Sequence, residues 1–166
     1  MAVEIERKFL VADQTWKPAV TRRKRIRQAY LRADGKASIR VRITDDVHAA
    51  LTIKTSRADL RRHEFEYDIP VLEAEMLMSL REGHVVEKIR HLVPGEGVTW
   101  EIDVFEGDNA GLCVAEVELQ SVGQPIVKPS WIGREVTGEG RYYNGSLAHA
   151  PVSNWPADVR AQVVGE

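Results

Sequence analysis

Charged and apolar positions alternate along most of this chain with a period of two, the spacing a strand imposes by pointing successive side chains to opposite faces. In the opening stretch MAVEIERKFL, Glu4, Glu6 and Lys8 share one face, opposite Val3, Ile5, Arg7 and Phe9. VADQTWKPAV then reads as a loop or short helix broken by Pro18. RRKRIRQAYLRADGK and ASIRVRIT form a hairpin pattern about Ala33-Asp34-Gly35-Lys36, with Ser38, Arg40 and Arg42 opposed to Ile39, Val41 and Ile43. Asp45-Asp46 marks the next turn. HAALTIKT sets Thr52 and Lys54 against Leu51 and Ile53, and RRHEFEYDI sets Arg62, Glu64, Glu66 and Asp68 against Phe65, Tyr67 and Ile69.

At Val71 the period changes. Leu72, Met76 and Leu80 recur at helical spacing, which predicts a helix from Val71 to Glu82 with Gly83 as its stop. HVVEKIRHLV returns to strand with Lys88, Arg90 and Leu92 on one face, and Pro94-Gly95-Glu96-Gly97 is a turn. VTWEIDVF places Glu101 and Asp103 opposite Trp100, Ile102 and Val104; after the polar Glu106–Asn109 segment, GLCVAEVELQ places Glu116 and Glu118 opposite Ala115, Val117 and Leu119. About eight strands joined by short turns predict a mainly β (α+β) fold, an antiparallel meander or barrel. The Gly- and Pro-rich SVGQPIVKPSWIGREVTGEG reads as a loop with one short helical turn. RYYNGSLAHA and NWPADVRAQV read as short helices at about 141–163, the second with Asn154 as N-cap and Pro156 in its first turn.

Composition narrows the class. With 166 residues, 43% hydrophobic and 29% charged, the chain reads as one soluble domain over residues 1–166. A net charge of -2 argues against general nucleic-acid binding, which needs an excess of Lys and Arg. The basic run Arg22, Arg23, Lys24, Arg25 and Arg27 therefore reads as a solvated strand entry or an anion-attracting tunnel mouth. Neither a membrane-length apolar run nor a signal peptide stands in the sequence, so the cytoplasm is the expected location and no membrane partner is implied. The pattern carries no signal for an oligomer. Cys113, alone in LCVAEVEL, reads as a small buried side chain. The five histidines lack zinc-ligand spacing, and there is no Gly-rich phosphate loop.

The charged faces are the informative feature. On the strand faces Glu-x-Glu recurs three times, beside Arg-x-Arg and Lys-x-Arg. Like charges two apart on one strand face repel, so each pair needs a partner opposite or a bound counter-ion. Carboxylate clusters suit Mg2+ or Mn2+, and Arg and Lys clusters suit phosphate oxygens. Together they describe a site for a metal-bound polyphosphate. Periodicity alone leaves two architectures open: a shared apolar core with the charges outside in water, or a barrel with a charged interior whose apolar outer faces are covered by helices.

The chain also resembles the CYTH superfamily, the triphosphate tunnel metalloenzymes. Glu4-Ile5-Glu6-Arg7-Lys8 matches the Glu-x-Glu-x-Lys signature of that family. The likeness continues in order through Gln28-Ala29-Tyr30-Leu31, Arg40-Val41-Arg42, Leu51-Thr52-Ile53-Lys54, Glu64-Phe65-Glu66, Glu87-Lys88-Ile89-Arg90, Trp100-Glu101-Ile102-Asp103 and Ala115-Glu116-Val117-Glu118. It reaches Trp131-Ile132-Gly133-Arg134-Glu135-Val136-Thr137 and Tyr143-Asn144. The resemblance implies an eight-stranded antiparallel barrel forming a tunnel with a charged interior. It implies a triphosphate held by Lys8, Arg40, Arg42, Lys54, Lys88 and Arg90, and Mg2+ or Mn2+ held by Glu4, Glu6, Asp103, Glu116 and Glu118 with Glu64 or Glu66. Lys8 and Tyr30 are an implied acid/base pair, although cations around Lys8 would lower its pKa while carboxylates raise it. The likeness is greatest to small bacterial tripolyphosphatases, so hydrolysis of inorganic tripolyphosphate to pyrophosphate and phosphate is the expected activity. Thiamine triphosphatase, class IV adenylyl cyclase and a non-catalytic polyphosphate- or nucleotide-binding module are the alternatives. A helix around Tyr142–Ala150, or the one after it, is expected near one tunnel end.

Overall fold

The structure, a computed structural model, describes residues 2–33, 35–55 and 61–163; Asp34 of the expected Ala33–Lys36 turn lies outside the described residues. Strands β1 (Ala2–Val11), β2 (Arg22–Arg32), β3 (Ala37–Thr44), β4 (His48–Thr55) and β5 (Arg61–Ile69) are followed by helix α1 (Val71–Met78). Strands β6 (Glu82–Pro94), β7 (Thr99–Phe105) and β8 (Cys113–Glu118) come next, then a short β9 (Ile132–Glu135) and helices α2 (Asn144–His149) and α3 (Ala157–Val163). The sheet runs β5-β4-β3-β2-β6-β7-β8-β1-β9, and a further β5–β1 pairing closes the first eight strands into an antiparallel barrel. Closure gives the two outer strands partners and so removes the exposed edges an open sheet would carry.

β1 is the strand on which the barrel closes. Its first residues pair with β5, Glu6 to Leu10 pair with β8, and Phe9 and Val11 pair with β9. β9 corrects the reading of residues 121–140 as loop. Too short to show a period, it is held instead by side chains: Glu135 takes two bonds from Arg7, at 2.9 Å from Nε and 2.6 Å from Nη2. Thr137 Oγ1 donates to Glu135 at 2.7 Å and accepts from the Lys8 N–H at 2.9 Å. Glu135→Ala should lower stability by about 1–2 kcal/mol, read from urea denaturation, because it strips a bidentate pair and one hydroxyl partner together.

The apolar faces lie outside the barrel, so the second architecture is the observed one. They form three clusters. On one flank Phe9, Trp100, Ile102, Ala115 and Val117 are covered by Trp16 and Trp131, which come from loops, where helices were expected. On the opposite flank Ala29, Val41, Ile43 and Ala49 are covered by Ala74 and Met78 of α1. At one end of the barrel Val86, Phe105, Leu112 and Val114 pack with Tyr142, Leu147, Ala148 and Val152.

α1 forms at the expected place but stops at Met78, and its expected apolar stripe faces water: Leu72, Met76 and Leu80 are 80%, 72% and 69% exposed. The face that packs carries Ala74, whose small side chain lets the helix approach the strands closely. Gly83 is not a helix stop. It lies inside β6 at φ +69°, and a Cβ there would collide with the Ala148 carbonyl of α2, so only glycine admits this contact. The Asp45-Asp46 turn is as expected, with both residues at positive φ, 52° and 58°. Among the described residues no helix is long and apolar enough to cross a membrane.

Candidate active site

Alternation along eight closed strands turns one side chain in two into the barrel, and there the charged faces meet. They line a cavity of about 250 Å³. Lys8, Arg40, Arg42, Lys54 and Arg90 line it together with Glu4, Glu6, Glu64, Glu66, Glu116 and Glu118, and Tyr30 joins them. Two expected residues do not reach the surface of the cavity. Lys88 and Asp103 have fully buried side chains behind its wall, where the Lys88 ammonium lies 2.7 Å from the Asp103 carboxylate. Arg90 adds two bonds to Asp103, at 2.8 Å from Nε and 2.9 Å from Nη2. Asp103 thus serves as a buried counter-charge for two cations.

The lining also contains residues to which the sequence analysis gives no site role, although Tyr143-Asn144 stands among the family-like motifs. Arg62 and Glu101 share faces with Glu64 and Asp103, so the alternation already marked them. Ser38 and Thr52 follow the same parity but carry no charge to draw notice. Tyr143, Asn144, Gly145 and Ser146 come from the start of α2, far from the strands in sequence, and only the returning chain brings them here. The basic run on β2 stays outside the lining; Arg27 there pairs with Asp46 at 3.1 Å and with Glu75 of α1 at 2.6 Å.

The basic residues are crowded. Burial, then Arg40 and Arg90, press the Arg42 guanidinium below its ordinary value. Arg40 donates from Nη2 to Thr52 at 3.2 Å, while its Nε is buried without a hydrogen-bond partner among the described residues. Guanidinium groups held close together are favourable when a polyanion lies between them. Burial pulls Lys88 down to about 7, with Arg90 and Arg42 adding to the effect and Asp103 opposing it. Lys8 goes the other way: although it is buried, Glu116 and Glu6 raise it. Its ammonium donates to the Tyr142 carbonyl at 3.1 Å and lies 3.2 Å from Glu116. The carboxylates therefore win the balance left open by the sequence, and Lys8 carries its proton at neutral pH.

The acidic residues divide. Against the cost of burial, Lys8, Arg90, Lys88 and Lys54 hold Glu116 well below the usual carboxylate range. Against the cost of its partial burial, Glu4 is lowered by Lys54, which it meets at 2.8 Å. Glu6, in contrast, is pushed up to about 7 by burial and by Glu116 and Glu4, and Glu118 is raised by burial, Glu4 and Glu101. Glu6 and Glu118 are direct cross-strand partners of β1 and β8, a juxtaposition of like charges that costs free energy. A divalent cation among these oxygens removes that cost, and all-oxygen donors suit Mg2+ or Mn2+. As the side chains stand, no three such groups among the described residues converge on one point, and Glu4 is paired with Lys54. A metal held by Glu6 would have to displace its proton. Apparent metal affinity should consequently rise about tenfold per pH unit up to about 7 and then level off, as read by calorimetric titration with Mn2+.

A closed β-barrel whose interior carries opposed sets of cations and carboxylates is the tunnel class of fold named in the resemblance above. The CYTH domain matches residues 2–150, and the chain belongs to that family. It is 44% identical over 156 residues to an inorganic triphosphatase of Acetivibrio thermocellus, covering 93% of this chain and 99% of that one. Identity to an inorganic triphosphatase of Nitrosomonas europaea is 38% over 149 residues, covering 87% and 96% of the two chains. A crystal structure of an inorganic triphosphatase superposes with a TM-score of 0.63 at 37% identity, covering 87% of this chain and 97% of that chain.

Proposed function

We propose that the protein is a divalent-metal-dependent triphosphatase that hydrolyses inorganic tripolyphosphate to pyrophosphate and phosphate. The observation that carries this reading is the cavity itself, in which Arg40, Arg42, Lys54 and Lys8 share one enclosed space with Glu4, Glu6, Glu116 and Glu118. An anion-binding module would need the cations alone. Apart from Tyr30, Tyr143, Ala33 and Gly145 the lining is charged or hydrogen-bonding, which supports an inorganic substrate over one with an organic end. The likeness to two inorganic triphosphatases supports the same substrate.

Arg40, Arg42, Lys54 and Arg90 hold the phosphate oxygens, with Lys88 acting on them from behind the wall. Glu4, Glu6, Glu116 and Glu118, with Glu64 and Glu66 at the acidic side, would hold the metal; Asp103, already taken by Lys88 and Arg90, orders the bases instead. Bound there, Mg2+ or Mn2+ supplies charge neutralisation on the phosphoryl group and a more acidic water. Water attacks the terminal phosphorus in line with the anhydride oxygen, that P–O bond breaks, and pyrophosphate leaves. Lys8, protonated, neutralises charge on the transferring group or gives a proton to the leaving oxygen, and Tyr30 lies in the same cavity to share that transfer. We place the protein in the cytoplasm, where a free thiol such as Cys113 stays reduced.

The test is phosphate release from tripolyphosphate, ATP and thiamine triphosphate, each with Mg2+, Mn2+ or EDTA. Metal-dependent release that is fastest from tripolyphosphate is expected. Faster turnover of thiamine triphosphate, or cyclic AMP formed from ATP, would reassign the substrate. No release from any of them, with tripolyphosphate still raising the melting temperature, would make the protein a binding module.

A further inference from the structure

At the cavity wall, two uncharged side chains, Asn144 in the lining and Gln28 buried behind it, join the cations of two strands. Gln28 on β2 and Arg42 on β3 are direct cross-strand partners, and Arg42 Nε donates to Gln28 Oε1 at 2.8 Å. Gln28 Nε2 in turn donates to Asn144 Oδ1, the first residue of α2, at 2.8 Å. The same Asn144 oxygen accepts from Lys88 Nζ at 3.0 Å, and Lys88 continues to Asp103 and so to Arg90. Arginine and lysine only donate, so the cations at both ends fix which way each amide points. Gln28 is fully buried, and an amide sealed there without partners would be costly. The run from Arg42 to Arg90 is thus continuous through one glutamine, one asparagine, one lysine and one aspartate.

We propose that Asn144 and Gln28 are positioning residues for the polyphosphate: the single Asn144 oxygen sets Arg42 through Gln28 and Arg90 through Lys88 and Asp103, and so fixes the spacing at which these β3 and β6 cations meet the phosphates. This inference rests on the proposed triphosphatase reading. It makes the start of α2 part of the substrate site as well as a cover for the barrel end. Gln28 takes Arg42 by Nε, so the terminal nitrogens of that guanidinium point away from the bond and are left for phosphate oxygens.

The test compares the wild type with N144L, N144D, Q28L and the Q28L/N144L double variant. It reads KM and kcat for tripolyphosphate with Mg2+, the calorimetric dissociation constant of tripolyphosphate in EDTA, and the melting temperature. N144L and Q28L should each raise KM and the dissociation constant about tenfold or more while kcat stays within about threefold. N144D keeps an acceptor for both Lys88 and Gln28 and should return both constants to within about threefold of wild type. The double variant should be no worse than the poorer single one, because both interrupt one relay. Should N144L not fold, Q28L and N144D carry the comparison. A wild type that turns over tripolyphosphate while N144L and Q28L keep its constants, losing only melting temperature, would overturn this inference and leave the triphosphatase reading standing. A wild type that neither binds nor hydrolyses tripolyphosphate would overturn both.

Discussion

Asp103→Leu should destabilise the protein by about 3–5 kcal/mol, which urea denaturation would report as a lowered midpoint with little change in slope. The size follows from what the carboxylate holds. Its side chain is fully buried, and it takes one bond from Lys88 and two from Arg90. Leucine fills a similar volume and accepts nothing, which leaves the fully buried Lys88 ammonium without its counter-charge and the nearly buried Arg90 guanidinium with Glu101, at 2.7 Å, as its main one. Lys88 then sheds its proton more readily still, since burial already draws it to about 7 against the attraction of Asp103. A loss below about 1 kcal/mol would show that Glu101 and Asn144 suffice as partners for Arg90 and Lys88, and that the ordering role given to Asp103 is wrong.

Glu6→Gln has the second large effect, and its two readouts should move in opposite directions. Metal-dependent hydrolysis of tripolyphosphate should fall by roughly 10³-fold, the several kcal/mol that a metal site supplies to a phosphoryl transition state. Stability should not fall with it. Glu6 titrates at about 7 in the folded protein against an ordinary value of 4.5, so between those two values the folded state holds a proton that the unfolded chain has released. Folding stability of the metal-free wild type therefore declines as pH rises from about 4.5 to about 7, and glutamine removes that decline. At pH 8 without metal the variant should melt higher than the wild type. Lower activity together with lower stability would mean that Glu6 is a structural residue.

The charged interior was legible because the period of a strand sorts side chains with little ambiguity. Glu4, Glu6, Lys8, Arg40, Arg42, Lys54, Glu64, Glu66, Arg90, Glu116 and Glu118 share the cavity their alternation implied. That this face points inward was a separate matter, decided by closure between β1 and β5, a long-range pairing to which no local pattern speaks. The same limit hid the rest. Lys88 and Asp103 have the right parity, yet they are sealed behind the wall by their own pairing and by Asn144, which arrives from the far end of the chain. Leu72, Met76 and Leu80 mark a different limit: their regular spacing predicts the helix but does not say which side packs, and the sheet accepts the smaller Ala74 side. β9 was lost to Gly and Pro content, since four residues clipped by Arg7 and Glu135 need no periodicity of their own.

One measurement tests the central claim most directly: a crystal structure of the protein with Mn2+ and an imido analogue of tripolyphosphate that resists hydrolysis, the metal being located by its anomalous scattering. The account predicts the phosphate chain inside the barrel against Arg40, Arg42, Lys54 and Arg90, with Mn2+ between it and the carboxylates of Glu4, Glu6, Glu116 and Glu118. Analogue bound outside the barrel, or Mn2+ away from those carboxylates, would contradict it.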